Sequence, residues 1–283
     1  MIETHEILWS KFNDTALNDF QGLTPNEMDD LIRKPFTKSS IVQLDQNISD
    51  IVLDKIPYFR LTEELFKIIE RNGKLKLTTT TNSLPVKVIE ELYDKKFITD
   101  YYVEQGLWKV KREKNSDLFT TLNITTKFCE YIKKYRGELI FTKAGNEWLI
   151  KKDRNILLKV LLKTFTEKFN WSYNDGHPNL PIGQLGWAFS IYLLLKFGHD
   201  KKPVSFYSEK YFEAFPTFIE DYPPEAYWTP KVGCHMCYSV RVVERFLEWF
   251  GLIQVTDFDF PINKKDGNMQ ATKLLTEIFR LRK

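Results

Sequence analysis

The feature that most constrains the fold of this chain is a recurring local order of elements. An amphipathic helix is followed by a short strand and then by a threonine-rich step into another helix. The clear copy spans residues 117–150, where a basic turn at Lys133–Gly137 leads to a strand and Thr142 opens the second helix. Weaker copies lie near residues 61–99 and 238–281. Because the strands are short and helical periodicity dominates between them, the pattern predicts a mainly helical α+β protein.

In its order of elements, the clear copy resembles the second half of a winged helix-turn-helix unit. We therefore expect two or three winged-helix-like units around a central pair of buried helices. Apolar spacing predicts these two helices at residues 153–172 and 185–197. The second is the longest apolar stretch and is too short to span a bilayer, so we interpret it as buried and expect no membrane partner.

With 283 residues, the chain is long enough for two small domains or for one domain built of several units. Helix ends and proline-rich stretches divide it into four predicted segments. These are an acidic N-terminal helical or irregular segment (1–58), a winged-helix-like region (59–152), a central helical region (153–219) and a C-terminal winged-helix-like unit (220–283).

Positive charge is concentrated in the middle of the chain. Residues 100–168 carry 15 basic and 9 acidic side chains, whereas the net charge of the whole chain is only +3. This segment is the one candidate footprint for a polyanion, although a solvated helix face would also explain the charge. The predicted nucleic-acid-binding residues are Lys109, Lys111, Arg112, Lys127, Lys133, Lys134, Arg136 and Lys143.

The helix before the basic turn is the candidate recognition helix. In DNA-binding proteins of this kind, one helix enters the major groove and a basic wing touches phosphates. Thr125, Thr126 and Lys127 precede the apolar part of this helix, which carries few long base-reading side chains. The unit could therefore serve as a packing module instead. Cations gathered on one exposed face would favour nucleic acid, and scattered or paired cations would favour a scaffold.

The densest polar and aromatic cluster lies at residues 170–177. Asp175 beside His177 could form an acid/base pair in a small-molecule pocket that also includes Trp171 and Tyr173. Alternatively, Trp171 and Tyr173 pack while residues 174–176 make a turn. No nucleophile motif accompanies the cluster, so we predict no catalytic residue and no cofactor.

Cys234-His-Met-Cys237 has the spacing of two metal ligands. A zinc site would need a second such pair, and a redox dithiol would need a preceding buried strand; the sequence has neither. Packing at a helix start is the alternative, and we predict no metal. Three cysteines and an N-terminus without an apolar signal segment lead us to expect a cytoplasmic protein.

Three stretches together resemble an uncharacterised bacterial family with a domain of unknown function. They are Phe20–Pro25 with Pro35-Phe36; Gly73–Thr78 with Leu84-Pro85 and Glu91–Tyr93; and Phe169–Tyr173 with Asp175-Gly176 and Tyr211–Pro216. That family usually has a Leu-Thr-x-x-Gly-Asn-Leu-Pro step. Here Leu77–Pro85 lacks the glycine and is one residue longer. The resemblance implies a winged-helix-like fold and no particular activity.

We therefore expect a non-enzymatic protein that binds nucleic acid through its basic centre. A protein-interaction scaffold without nucleic-acid binding is the first alternative. An enzyme with a site near residues 170–177 is the second. The sequence does not predict an oligomeric state.

Overall fold

The computed structural model describes residues 11–110, 112–224, 227–256 and 267–282. Over these residues the chain is mainly helical, with three small antiparallel sheets, which confirms the predicted α+β class. Within the same ranges, no helix combines the length and apolarity needed to cross a bilayer.

The chain divides into two compact units. One, which we call the split unit, comprises residues 1–46 and 171–283. The other, the inserted unit, is the continuous stretch 47–170 that interrupts the split unit in sequence. These boundaries differ from the four predicted segments. In particular, the two helices predicted as a central pair belong to different units, so each unit has its own core.

Thirteen helices and one 3-10 turn are described in the ranges given above. The helices are α1 (Pro25–Arg33), α2 (Asp50–Leu53), α3 (Pro57–Asn72), α4 (Val86–Tyr93), α5 (Tyr101–Glu104), α6 (Asp117–Phe128), α7 (Lys143–Lys151), α8 (Arg154–Lys163), α9 (Trp187–Phe197), α10 (Val204–Ala214), α11 (Thr217–Asp221), α12 (Pro230–Tyr238) and α13 (Lys273–Ile278). The 3-10 turn at Glu113–Asn115 precedes α6. Two helices continue as π-helix, α8 through Thr164–Lys168 and α12 through Ser239–Leu247.

The strands form one two-stranded and two three-stranded sheets. They are β1 (Val42–Leu44), β2 (Leu75–Lys76), β3 (Ile132–Tyr135), β4 (Glu138–Phe141), β5 (Lys202–Pro203), β6 (Ile253–Thr256), β7 (Asn268–Ala271) and β8 (Phe279–Leu281). The strand orders are β1-β8, β2-β4-β3 and β5-β7-β6, and every pairing is antiparallel.

Both units repeat one order of elements. In the inserted unit the order is α3, β2, α4, α6, β3, β4, α7, and in the split unit it is α9, β5, α10, α12, β6, β7, α13. In each of the two three-stranded sheets, the strand that comes last in the chain lies between the other two. We call the four helices in each of these orders the main helices. Between the second and the third main helix, the inserted unit has α5 and the 3-10 turn, whereas the split unit has α11.

The match extends to single hydrogen bonds. Thr142 Oγ1 donates to the carbonyl oxygen of Glu130 at 2.7 Å, and Thr272 Oγ1 donates to that of Gly251 at 2.7 Å. Both accepting residues have positive φ, 65° at Glu130 and 70° at Gly251, where the chain turns from helix into strand. Each threonine precedes the last helix of its repeat.

The three predicted copies are therefore two complete repeats. The copies predicted near residues 61–99 and 117–150 are halves of one unit, because β2 of the first pairs with β4 of the second. The copy near 238–281 likewise shares a sheet with β5. A two-residue strand cannot form a sheet by itself, so it must join the hairpin that follows later in the chain.

The turn predicted at Lys133–Gly137 is shorter than expected. Ile132–Tyr135 is strand, and only Arg136 and Gly137 form the turn, with φ of 50° and 77°. Two central residues with positive φ are the mark of a type I′ turn, whose twist suits a two-residue hairpin loop. Lys133 and Lys134 consequently belong to a strand.

Each core is built on the first helix of its repeat. In the inserted unit, α3 buries Phe59, Leu65, Phe66 and other apolar side chains. In the split unit, every residue of α9 from Trp187 to Leu194 is buried. Complete burial of a large apolar side chain stabilises a fold by about 1.5–3 kcal/mol, so these two helices anchor the sheets that pack on them.

Candidate functional site

The basic hairpin, which we define as Ile132–Phe141, presents three cations to solvent. Lys133, Lys134 and Arg136 are all exposed. In the part of the chain that the structure describes, none of the three has a carboxylate within ion-pair distance. Because side chains alternate along a strand, Lys133 and Lys134 lie on opposite faces of β3. The edge of the hairpin is therefore positive on both faces.

The nearby carboxylates contact other lysines. The ion pairs are Lys74–Glu138 at 2.9 Å, Lys168–Glu130 at 2.8 Å and Lys96–Glu104 at 2.6 Å. Hydrogen bonds from their lysines lower the pKa of both Glu130 and Glu104. These acids therefore leave the charge of Lys133, Lys134 and Arg136 uncompensated.

An aromatic side chain lies among these cations. Tyr135 is 51% exposed, and the Arg136 guanidinium carbon lies 5.2 Å from the centre of its ring. This cation–π contact holds the arginine at the turn of the hairpin. Tyr135 shares its face of β3 with Lys133, since the two are two residues apart.

Lys127, in the last turn of α6, extends the positive surface. Its pKa is lowered first by burial; Glu113 raises it, and the nearby charge of Lys134 lowers it again. This repulsion accords with the packing of α6 against β3, the strand that carries Lys134. Lys127 therefore lies on the helix that packs on the basic hairpin, and its role in binding stays a prediction.

The polar side chains of α6 are turned inward. Thr125 and Thr126 are buried, and their hydroxyls donate to main-chain carbonyls of the preceding turn at 2.8 and 2.6 Å. Asn123 is also buried and donates its amide to Glu113 Oε1 at 2.8 Å. These threonines are therefore not available to a groove, because back-bonding to the helix satisfies their hydroxyls inside the core.

Glu113 is a buried acid that the sequence reasoning missed. It is 8% exposed, and it accepts hydrogen bonds from the Leu84 main-chain N–H and from Asn123. Burial raises its pKa, although these hydrogen bonds oppose the shift. The residue connects the loop before α4 to α6. Its place within a run of basic residues gave no signal of burial.

The other predicted cations do not join the hairpin cluster. Lys109 and Arg112 are exposed in the segment before α6, and no described contact links them to the hairpin. Lys143 is exposed at the start of α7, beyond the end of β4. That end lies three strand residues from the Arg136 turn, roughly 10 Å away. Lys111 lies outside the described residues.

The second predicted site, at residues 171–177, is a loop held in place by two arginine side chains. Arg241, on the π-helix of the split unit, forms an ion pair with Asp175, and both side chains are 0% exposed. The same guanidinium donates to the carbonyl oxygens of Pro178 and Leu180. Arg245, one turn later, donates to the carbonyl oxygens of Tyr173 and Asn174 at 3.1 Å each.

The four predicted pocket residues do not converge. Trp171 is buried against Phe246, with 5.2 Å between ring centres, whereas Tyr173 is exposed. The imidazole of His177 contacts the Tyr222 hydroxyl at 3.2 Å. From His177, the Asp175 carboxylate accepts a hydrogen bond from the main-chain N–H and not from the imidazole. The predicted acid/base pair is therefore not formed, because Arg241 occupies the carboxylate. The structure shows the alternative in part: Trp171 packs and residues 174–176 turn, whereas Tyr173 does not pack.

Cys234 and Cys237 pack in the interior. Both are 0% exposed, and burial raises the pKa of each thiol to about 12. Cys234 Sγ lies 3.3 Å from the carbonyl oxygen of Phe218. Protonated, buried thiols are poor metal ligands and poor nucleophiles. Among the described residues, no group of three His, Cys, Asp or Glu side chains is arranged to hold a metal ion.

Comparison of the chain with protein-family models, with curated proteins and with solved structures gave no match in any of the three. Function is therefore argued from the geometry of the two candidate sites. The basic hairpin offers exposed charged groups without a partner among the described residues, whereas the carboxylate of the other site, Asp175, is paired with Arg241.

Proposed function

We propose that this protein binds nucleic acid through the basic hairpin and the adjoining end of α6. The observation that carries the proposal is the exposure of Lys133, Lys134 and Arg136 with no carboxylate partner among the described residues. Ammonium and guanidinium groups of this kind bind phosphate oxygens and release the counterions condensed on a nucleic acid. In accord with the cysteine content, we assign this activity to the cytoplasm.

The topology of the inserted unit supports the proposal. Helix, strand, helix, helix and then a hairpin, with the last strand central in the sheet, is the order of a winged-helix unit. On this interpretation α6 corresponds to the third helix and β3–β4 to the wing. The split unit would be a second winged-helix-like unit, since it repeats the order. The hairpin cations then occupy the place from which a wing contacts phosphates.

The charge chemistry also fits phosphate. Arg136 offers a planar fork of donors that matches a phosphate group, while Lys133 and Lys134 act as point charges. Lys127 adds a fourth cation beside Lys134. Because the lysine ammonium groups can only donate hydrogen bonds, the surface selects anionic acceptors.

The test is a titration of a fluorescent 20-base-pair duplex with the full chain at several salt concentrations. Four phosphate contacts predict a slope of log K against log salt of about −3.6, and Lys133→Glu with Lys134→Glu should reduce it to about −1.8. Lys143→Glu is the matched control, an exposed lysine of the same unit at the other end of the hairpin. Absence of salt-dependent binding, or equal losses in both variants, would refute the proposal.

Protein binding is the second candidate function, favoured by an exposed apolar segment. It is also favoured by the scatter of the predicted cations, since Lys133 and Lys134 lie on opposite faces of β3 and most of the other described ones lie outside the hairpin. Leu107 and Trp108 are 64% and 47% exposed, and Trp108 stacks on Tyr102 at 3.9 Å. Exposed aromatic side chains held in place are frequent at protein interfaces. A partner retained by the hairpin variant but lost in Leu107→Glu would favour this function over nucleic-acid binding.

A further inference from the structure

We infer that the inserted unit holds a nucleic-acid double helix by its phosphodiester backbones alone, without reading bases, so that duplexes of any sequence bind equally. This inference rests on the proposed function and specifies its ligand. It follows from what α6 presents to solvent and from what the hairpin presents beside it.

The asparagine and threonine side chains of α6 that could read a base are already bonded within the protein, and the basic side chain of this helix, Lys127, lies half-buried in its last turn. Base edges are read mainly by Arg, Lys, Asn and Gln, with Ser and Thr as minor contributors. Asn123 is buried against Glu113, and Thr120 donates its hydroxyl to the carbonyl oxygen of the same glutamate at 2.6 Å. Thr125 contacts the Tyr58 hydroxyl at 2.8 Å inside the core. None of these groups is available to a groove.

Apart from Lys127 in its last turn, the outward face of α6 is apolar or acidic. Asp117 and Phe128 are exposed at its two ends, and Ile124 is half-buried between them. Phe128 and Ile124 have no hydrogen-bonding side-chain atom. Asp117 carries a negative charge in the first turn, where an approaching phosphate would be repelled. Ser116 already caps the Phe119 N–H, so the helix start is not free to bind a phosphate.

The hairpin, by contrast, is suited to the backbone of a duplex. Lys133 and Lys134 point to opposite faces of one strand, so each can meet a phosphate on a different side of the hairpin. Lys127 lies near Lys134 at the end of α6. Arg136 is held against Tyr135 at the turn, which ties its guanidinium to the hairpin. Contacts of lysine to phosphate fix position and carry no sequence information.

The experiment compares duplexes that differ only in sequence. The full chain is titrated at one salt concentration with three 20-base-pair DNA duplexes, one rich in A·T, one rich in G·C and one mixed. We expect dissociation constants within about threefold and the same salt slope for all three. One preferred contact to a base changes affinity by about tenfold or more, so a tenfold preference would overturn the inference.

Two variants test the role of α6 directly. Phe128→Ala should change the affinity less than twofold, because its ring meets no base. Lys127→Ala should weaken binding to all three duplexes by the same factor. A loss of tenfold or more in Phe128→Ala, or a loss in Lys127→Ala that depends on sequence, would show that the helix enters a groove.

A fourth titration uses an RNA duplex of the mixed sequence. It shows whether the phosphodiester backbones of DNA or those of RNA are bound more tightly. Tighter binding of either form supports the inference, provided that the three DNA sequences bind alike. Failure of the inference is distinct from failure of the proposed function. A strong sequence preference contradicts only the inference, whereas no salt-dependent binding to any duplex contradicts both.

Discussion

At the scale of single residues, the buried ion pair Asp175–Arg241 orders a loop of the split unit. Its two side chains are fully buried, and the arginine also binds two main-chain carbonyls of the same loop. A buried pair stabilises little relative to apolar residues of equal size, but removing one partner leaves an uncompensated charge. The pair therefore fixes the loop in one conformation.

Asp175→Asn should lower the free energy of unfolding by about 3–5 kcal/mol, since Arg241 would remain buried without its counter-charge. Urea denaturation followed by circular dichroism measures the change. Glu130→Gln is the control, because it removes the exposed pair with Lys168 and should change stability little. Equal effects in the two variants would contradict the assigned burial of the Asp175 pair.

The pH dependence of stability should follow His177, the half-buried histidine of the same loop. Burial and the charges of Arg241 and Arg245 lower the pKa of His177, although Asp175 raises it. Below the ordinary pKa of about 6.5, the unfolded chain therefore binds more protons than the folded chain, and stability falls as pH falls. His177→Gln should reduce this slope between pH 6.5 and 5.5. An unchanged slope in denaturation curves would reject the assignment.

At the scale of elements, the threonine before the last helix of each repeat joins helix and sheet. In both units its hydroxyl binds a carbonyl at the end of the third main helix, and its main-chain N–H binds the next carbonyl, that of Tyr131 or Leu252, at 2.9 Å. Thr142 also caps the Gly145 N–H, whereas Thr272 makes no side-chain cap. The same junction thus appears twice, with one additional bond in the inserted unit.

Thr142→Val should consequently destabilise its unit more than Thr272→Val destabilises the split unit. We expect losses of about 1–2 kcal/mol and about 1 kcal/mol, because the first variant loses a helix cap as well as a hydrogen bond. Hydrogen exchange of the amides in β4 and β7 would report each unit separately. A larger loss of stability in Thr272→Val than in Thr142→Val would contradict the additional helix cap assigned to Thr142.

At the scale of the whole molecule, one unit interrupts the other in sequence. The inserted unit is a single continuous stretch with its own buried helix, three-stranded sheet and polar clusters. Arg154 illustrates this independence, since its ion pairs with Asp50, Asp54 and Glu63 all lie within the unit. Continuous stretches with their own core can fold without the rest of the chain.

Residues 47–170 expressed alone should therefore fold cooperatively. We expect a helical circular dichroism spectrum and a single sigmoidal urea transition. Residues 171–283 alone are the matched comparison. They lack β1 and α1, which pair with β8 and pack on α9, and should be less stable. A gradual, non-cooperative transition of residues 47–170 would refute the independence of the unit.

Local signals were sufficient for much of the secondary structure. Thr24, Pro25 and Glu27 are the residue types of a helix start, and the structure has the complete capping box there, with both reciprocal hydrogen bonds. Lys34-Pro35 likewise marked its end. These predictions succeed because a cap or a proline acts on the three or four residues beside it. The strand at Ile132–Tyr135 was missed, since three polar residues in a row carry no apolar alternation.

The sequence by itself determined the class of the fold, the repeated order of elements and the concentration of positive charge in the middle of the chain. Only the tertiary structure decided that Asp175 binds Arg241, that the hydroxyls of α6 face inward, and that α6, which carries Lys127, packs on the strand of Lys134. The physical reason is the separation along the chain over which each kind of interaction acts. Caps, turns and apolar periodicity act between near neighbours, whereas burial and ion pairing depend on residues brought together from distant parts of the chain.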